Sequence, residues 1–161
     1  MNATPTFSDT TSFRSFNFPD RFTRHKNFLA EIEPVLSDLD MHDASFRTIP
    51  GLFGGTPSVS WESVNFPNHF LRHQDFRLKL QPQPPEGSPD SNLFNLDATF
   101  FIVPGHADPS KASFRSFNFN QRFLRHRDFH LFLDELDLSR DLDRNDSTFQ
   151  IGDGFVPLPT P

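Results

Sequence analysis

Residues 12–25 read SFRSFNFPDRFTRH, and this stretch decides the fold because the chain repeats it. Residues 60–73 read SWESVNFPNHFLRH and residues 113–126 read SFRSFNFNQRFLRH. The first and third agree at 11 of 14 positions, and all three share Ser, Ser, Asn, Phe, Phe, Arg and His at the same places. Their starts lie 48 and then 53 residues apart, so three near-equal units fill the chain.

Each unit continues in the same way. After the Arg-His pair come Phe28, Ala30 and Ile32, then Phe76, Leu78 and Leu80, then Phe129, Leu131 and Leu133. Apolar residues at every second position predict a half-buried strand. A loop then leads to Asp43-Ala-Ser-Phe46, Asp97-Ala-Thr-Phe100 and Asp146-Ser-Thr-Phe149. An Asp followed by small and β-branched residues predicts a turn entering a last strand. Roughly four strands per unit and no helix predict an all-β chain of about twelve strands. The expected architecture is a β-trefoil, with pseudo-threefold symmetry from the three internal repeats. The expected layout is a tail at 1–11, one domain at 12–155 with lobes 12–58, 59–111 and 112–155, and a tail at 156–161.

Composition narrows the function classes. The 161 residues are 35% hydrophobic and 22% charged, enough for one domain with a real core. Phe supplies 22 aromatics beside one Trp and no Tyr, and 15 Pro with 7 Gly punctuate short apolar runs. The formal charge is −6 with no basic run, which argues against nucleic acid as a partner. No stretch of 18 apolar residues and no basic-then-apolar start is visible, so neither a membrane span nor a signal peptide is expected. With no Cys, disulfides, thiol catalysis and cysteine zinc sites are excluded. The compartment stays open, because a secreted chain that has lost its signal peptide and a cytoplasmic chain read alike. Asn2-Ala-Thr4 and Asn145-Asp-Ser147 are glycosylation sequons if a eukaryote secretes the chain.

The N-F-P-x-x-F-x-R-H motif of the first two units, with D-A-S-F or D-A-T-F some twenty residues on, resembles the AbfB-type domain, the family 42 carbohydrate-binding module found attached to arabinofuranosidases. The resemblance covers all three units. It implies a β-trefoil that binds terminal arabinofuranosyl side chains of plant arabinoxylan or arabinan. In that family each lobe can hold one sugar through the His of the Arg-His pair and the Asp of the following element. Carried over by position, this pairs His25 with Asp43, His73 with Asp97, and His126 with Asp146. Phe28, Phe76 and Phe129 are the expected walls. The second unit keeps the fullest pattern, while the third has Asn120 for Pro and no matching Pro-Gly. The family's Gly after Pro is replaced by Asp20, Asn68 and Gln121, and its Tyr residues by Phe, so no phenolic hydrogen bond remains.

The residue types suit the ligand. A furanose offers adjacent hydroxyls and a weakly apolar face, which a carboxylate, an imidazole and a Phe ring can meet. So small a site predicts a monosaccharide Kd of about 0.1 to 10 mM, and several sites would add avidity on a branched polymer. Arg24, Arg72 and Arg125 alternate with their His neighbours and are expected on the opposite face in structural roles, paired with carboxylates or backbone carbonyls. Asn17, Asn65 and Asn118 read as turn residues, and Trp61 as core. Equivalent His and Asp residues in three lobes lie too far apart for one metal ion, and no carboxylate pair is marked out to flank a scissile bond. No cofactor is expected, a monomer is expected, and any catalytic glycoside hydrolase domain would lie outside these residues. The competing expectation is a trefoil that binds proteins, as an inhibitor or adaptor, with degenerate sugar sites.

Overall fold

A computed structural model describes residues 9–159. Its first third holds β1 (Thr11–Ser15), β2 (Phe22–Lys26), β3 (Leu29–Glu33), α1 (Asp38–Asp43) and β4 (Phe46–Pro50). The middle holds β5 (Val59–Ser63), β6 (His69–Gln74), β7 (Arg77–Pro82), α2 (Ser91–Asp97) and β8 (Phe100–Pro104). The last third holds β9 (Ala112–Ser116), β10 (Arg122–Arg127), β11 (His130–Glu135), α3 (Asp141–Asp146) and β12 (Phe149–Asp153). β1 thus begins at Thr11, and Thr10 before it is fully buried, although the sequence placed both in a tail. The sequon at Asn2 and the chain ends at 1–8 and 160–161 lie outside the described residues.

Alternation explains the strands. In β3, Ala30 and Ile32 are fully buried while Leu29, Glu31 and Glu33 are half-buried, as opposite faces of a pleated strand require. β7 buries Leu78 and Leu80 in the same way, and β11 buries Leu131 and Leu133. At the centre Phe13, Trp61 and Phe114 meet edge to face, with ring centroids 5.0 to 5.5 Å apart. Phe46, Phe100 and Phe149, each the last residue of its Asp element, are buried in the same cluster.

The structure corrects the β-trefoil expectation. The protein is an all-β closed antiparallel barrel in which twelve strands form one hydrogen-bonded sheet. β4 pairs with β5 over five residues, β8 with β9 over five, and β12 with β1 over five. Most long pairings join consecutive strands, and the pairing of β12 with β1, the two ends of the chain, closes the barrel.

The absence of helix is corrected as well. α1 and α3 have six residues and α2 seven, too short for a 3.6-residue period to show in the sequence. α1 opens on a capping box: Asp40 N donates to Ser37 Oγ at 3.1 Å, and Ser37 N donates to Asp40 Oδ2 at 3.2 Å. Asp43, Asp97 and Asp146 are the last helical residues rather than turn residues.

A third correction concerns where the alternating strands begin. Phe28, Phe76 and Phe129 precede their strands and sit in two-residue hairpin turns. Asn27 and Phe28 have φ of 53° and 61°, Asp75 and Phe76 54° and 61°, and Asp128 and Phe129 50° and 63°. Two positive φ values mark the turn type that matches strand twist and normally takes Asn-Gly or Asp-Gly. A Phe in the Gly position is a bulky side chain held in a left-handed backbone, three times over.

Candidate functional site

Three sites share one construction. At site one, β2 supplies Arg24 and His25, the end of α1 supplies Asp43, and the β2–β3 turn supplies Phe28. The loop after β5 supplies Asn65 and Phe66, from the following repeat. Asn65 Nδ2 donates to Asp43 Oδ1 at 2.8 Å, while Arg24 pairs with Asp43 Oδ2. A carboxylate only accepts, so the amide nitrogen of Asn65 faces Asp43 and its oxygen faces His25. His25 Nε2 lies 2.9 Å from that oxygen and must carry the proton it donates. Nε2 also lies 3.2 Å from Ser63 Oγ and 3.5 Å from Asp43 Oδ1.

Sites two and three repeat the pattern. His73 Nε2 is 2.9 Å from Asn118 Oδ1, and Asn118 Nδ2 donates to Asp97 at 2.9 Å, with Arg72 on the other carboxylate oxygen. His126 Nε2 is 2.9 Å from Asn17 Oδ1, Asn17 Nδ2 donates to Asp146 at 2.9 Å, and Arg125 donates to Asp146 at 2.6 Å. The structure therefore brings together each expected His–Asp pair, at 3.5 to 3.6 Å. All three imidazoles and all three carboxyl groups are buried. Burial pushes His25, His73 and His126 below the ordinary imidazole value of 6.5, against the opposing pull of the adjacent Asp. They are neutral at neutral pH.

The arginines take the carboxylate and backbone-carbonyl partners expected of them, but on the imidazole's side rather than the opposite face. Strand alternation sets where a Cβ points, but an Arg side chain is long enough to curl back. Arg24 Nε donates to the carbonyl of His25 at 3.2 Å, and its guanidinium reaches the same Asp43 as the imidazole. Arg24 also contacts Asp40 at 2.7 Å and Glu33 at 3.3 Å. Arg125 similarly has Asp134 and Asp143 at 3.6 Å, whereas Arg72 has Gln81 at 2.8 Å in place of a second carboxylate.

At each site a second Phe packs against both the His and the hairpin Phe. Phe66 packs 5.3 Å from both His25 and Phe28. Phe119 packs 5.4 Å from His73 and 5.5 Å from Phe76. Phe18 packs 5.5 Å from His126 and 5.2 Å from Phe129. Asn17, Asn65 and Asn118, read from the sequence as turn residues, are the partners of His and Asp, a role that sequence reasoning missed. The signal was present, since the Asn-Phe pair recurs in register with the His in every copy.

The sites differ in access. A pocket of about 550 Å³ at site one is lined by Arg24, His25, Phe28, Asp43 and Phe66. A pocket of about 430 Å³ beside site two is lined by Arg72, Leu93 and Phe94, but not by His73 or Asp97. The Arg122 guanidinium lies 3.9 Å from the Phe76 ring centroid and that of Arg21 3.8 Å from Phe129. At site one the corresponding neighbour is His69, stacked 6.1 Å from Phe28. Among the described residues, no group of three or more His, Asp or Glu is placed to hold a metal ion, and no helix is long and apolar enough to cross a membrane.

Comparison with known proteins agrees with the motif. The family described as "Alpha-L-arabinofuranosidase B (ABFB) domain" matches residues 11–151, and the chain belongs to that family. No curated protein matches it significantly. Among solved structures, a GH54 α-L-arabinofuranosidase soaked with 4-nitrophenyl α-L-arabinofuranoside is similar at TM-score 0.75 and 23% identity, over 97% of this chain and 33% of that one. An arabinofuranosidase complexed with arabinofuranosyl-α-1,2-xylobiose is similar at TM-score 0.74 and 24% identity, over 95% of this chain and 33% of that one. The barrel is also similar to a Haemophilus ducreyi cytolethal distending toxin chain at TM-score 0.69 and 11% identity, over 100% and 93% of the two chains. The chain thus spans about a third of the arabinofuranosidase structures it matches.

Proposed function

We propose that the protein is a non-catalytic carbohydrate-binding module that recognises terminal L-arabinofuranosyl groups of plant polysaccharides such as arabinoxylan or arabinan. The observation that carries the reading is the convergence of Asp43, His25 and Phe28 on one pocket at site one. Each Asp43 oxygen has one side-chain donor of the kind described above, from Asn65 or Arg24, which leaves acceptor capacity on both for a pair of sugar hydroxyls. With Nε2 of His25 committed to Asn65, Nδ1 is the acceptor for a further hydroxyl. Phe28 offers an apolar face to the ring.

Family membership supports the sugar class, because the similar arabinofuranosidase structures were studied with arabinofuranosides. The non-catalytic reading is supported by Asp40 and Asp43, which are both held by Arg24 rather than facing each other across a substrate. Sites two and three carry the same His, Asp, Asn and Phe set, and the reading extends to up to one sugar at each. The test is calorimetric titration with an arabinofuranosyl-substituted xylooligosaccharide beside its unsubstituted backbone. Heat is expected only with the substituted sugar. Asp43→Asn, which keeps the shape and an acceptor for Asn65, is expected to reduce the number of binding sites.

A further inference from the structure

The pocket at site one continues past the groups assigned to the sugar. Beyond Phe28 its lining includes Pro34, Leu36 and Leu39, an apolar strip beside the polar floor of Arg24, His25 and Asp43. Leu36 is 83% exposed and Leu39 64%, so neither is held in place by the core. Leu39 lies four residues before Asp43, one helical turn away on the same face of α1. Leu93 and Leu142 stand at the same distance before Asp97 and Asp146, and both are exposed too. A polar residue would be accommodated at such a surface position at no cost. A Leu nevertheless stands four residues before the site Asp in every copy, and at site one it lines the pocket that Asp43 also lines.

Site one adds two features to this wall. Its pocket reaches the His and the Asp, and its Phe28 is not covered by a guanidinium as Phe76 and Phe129 are. About 550 Å³ lies in the range that encloses drug-sized ligands, more than one pentose fills. Resting on the arabinofuranose reading, we propose that site one takes an arabinofuranosyl group carrying an aromatic acyl ester, with the sugar on Asp43, His25 and Phe28 and the aromatic ring against Pro34, Leu36 and Leu39. A terminal arabinofuranosyl group joined to a polymer uses its anomeric carbon for the linkage, so a substituent must sit on a hydroxyl. The primary O5, which lies outside the ring, is one such hydroxyl.

The test titrates the full chain with methyl α-L-arabinofuranoside and with its 5-O-benzoyl ester, and repeats both with a Leu36→Ser/Leu39→Ser variant. Both leucines are exposed, so the variant is expected to fold, as thermal unfolding will show. The expected result is about tenfold tighter binding of the ester by the original chain, with that ratio falling close to one in the variant. Equal affinities in the original chain, or a ratio that survives in the variant, overturn the proposal while leaving arabinofuranose binding standing. No binding of either compound at millimolar concentration overturns both.

Discussion

Replacing Phe28 with Gly is expected to leave the barrel as stable as before while removing a wall of site one. The ring is 47% exposed, so its burial contributes about half of the roughly 1.5 to 3 kcal/mol of a fully buried Phe. Its edge contact with Phe66 adds about 0.5 to 1 kcal/mol. Against this, a non-glycine residue at φ 61° carries a backbone cost of about 1 to 2 kcal/mol, which Gly relieves. The variant turn, Asn27 followed by Gly, is also the sequence this hairpin geometry favours. The opposing contributions cancel to within about 1 kcal/mol, or about 2 to 4 °C in Tm for a domain of this size. Loss of a stacking face from the sugar is expected to weaken binding at site one about tenfold, which is about 1.4 kcal/mol. Circular dichroism melting and calorimetric titration of the same samples read both quantities. A Tm fall of more than about 5 °C would assign the ring a structural role, and unchanged affinity would remove it from the site.

Three further outcomes are expected. Burial lowers the pKa of His25, His73 and His126, so below about pH 6.5 the unfolded chain binds more protons than the native one. Their contribution to stability is complete above that pH and is lost as pH falls through the lowered native values. Tm should therefore be lower at pH 5 than at pH 7.5, and an equal or higher Tm at pH 5 would contradict the burial argument. Asn65→Ala removes the group that links His25 to Asp43 and leaves both short of a partner, at a cost of about 1 to 3 kcal/mol measured by urea unfolding. A midpoint unchanged from the original chain would show that water replaces the amide. Arg24→Met leaves Asp43 buried without its cation and should cost about 3 to 5 kcal/mol, seen as a large drop in denaturant midpoint. A drop below about 1 kcal/mol would show that Asp43 is hydrated in the native protein.

Much of the site was legible because it repeats. His25, Asp43 and their counterparts recur at fixed offsets, and the structure places each pair together. Asn65 was legible as a recurring residue but not as a partner of His25, because 40 residues separate them and only strand pairing brings them near. Arg24 was misplaced for a different reason. The two-residue period describes the backbone and Cβ, and says nothing about a flexible side chain that folds back over its neighbour.

The sequence by itself determined that the chain is built of strands, which residues face inward, and which residue types recur at each site. These follow from local periodicity, which burial imposes on every strand separately. The tertiary structure alone decided which strands pair around the barrel, that each site is completed by a loop from another repeat, and that the pocket at site one reaches both His25 and Asp43. Those outcomes depend on which distant edges pair and on how side chains of different length pack across them. Such choices minimise the free energy of the whole chain, and no short window of sequence contains them.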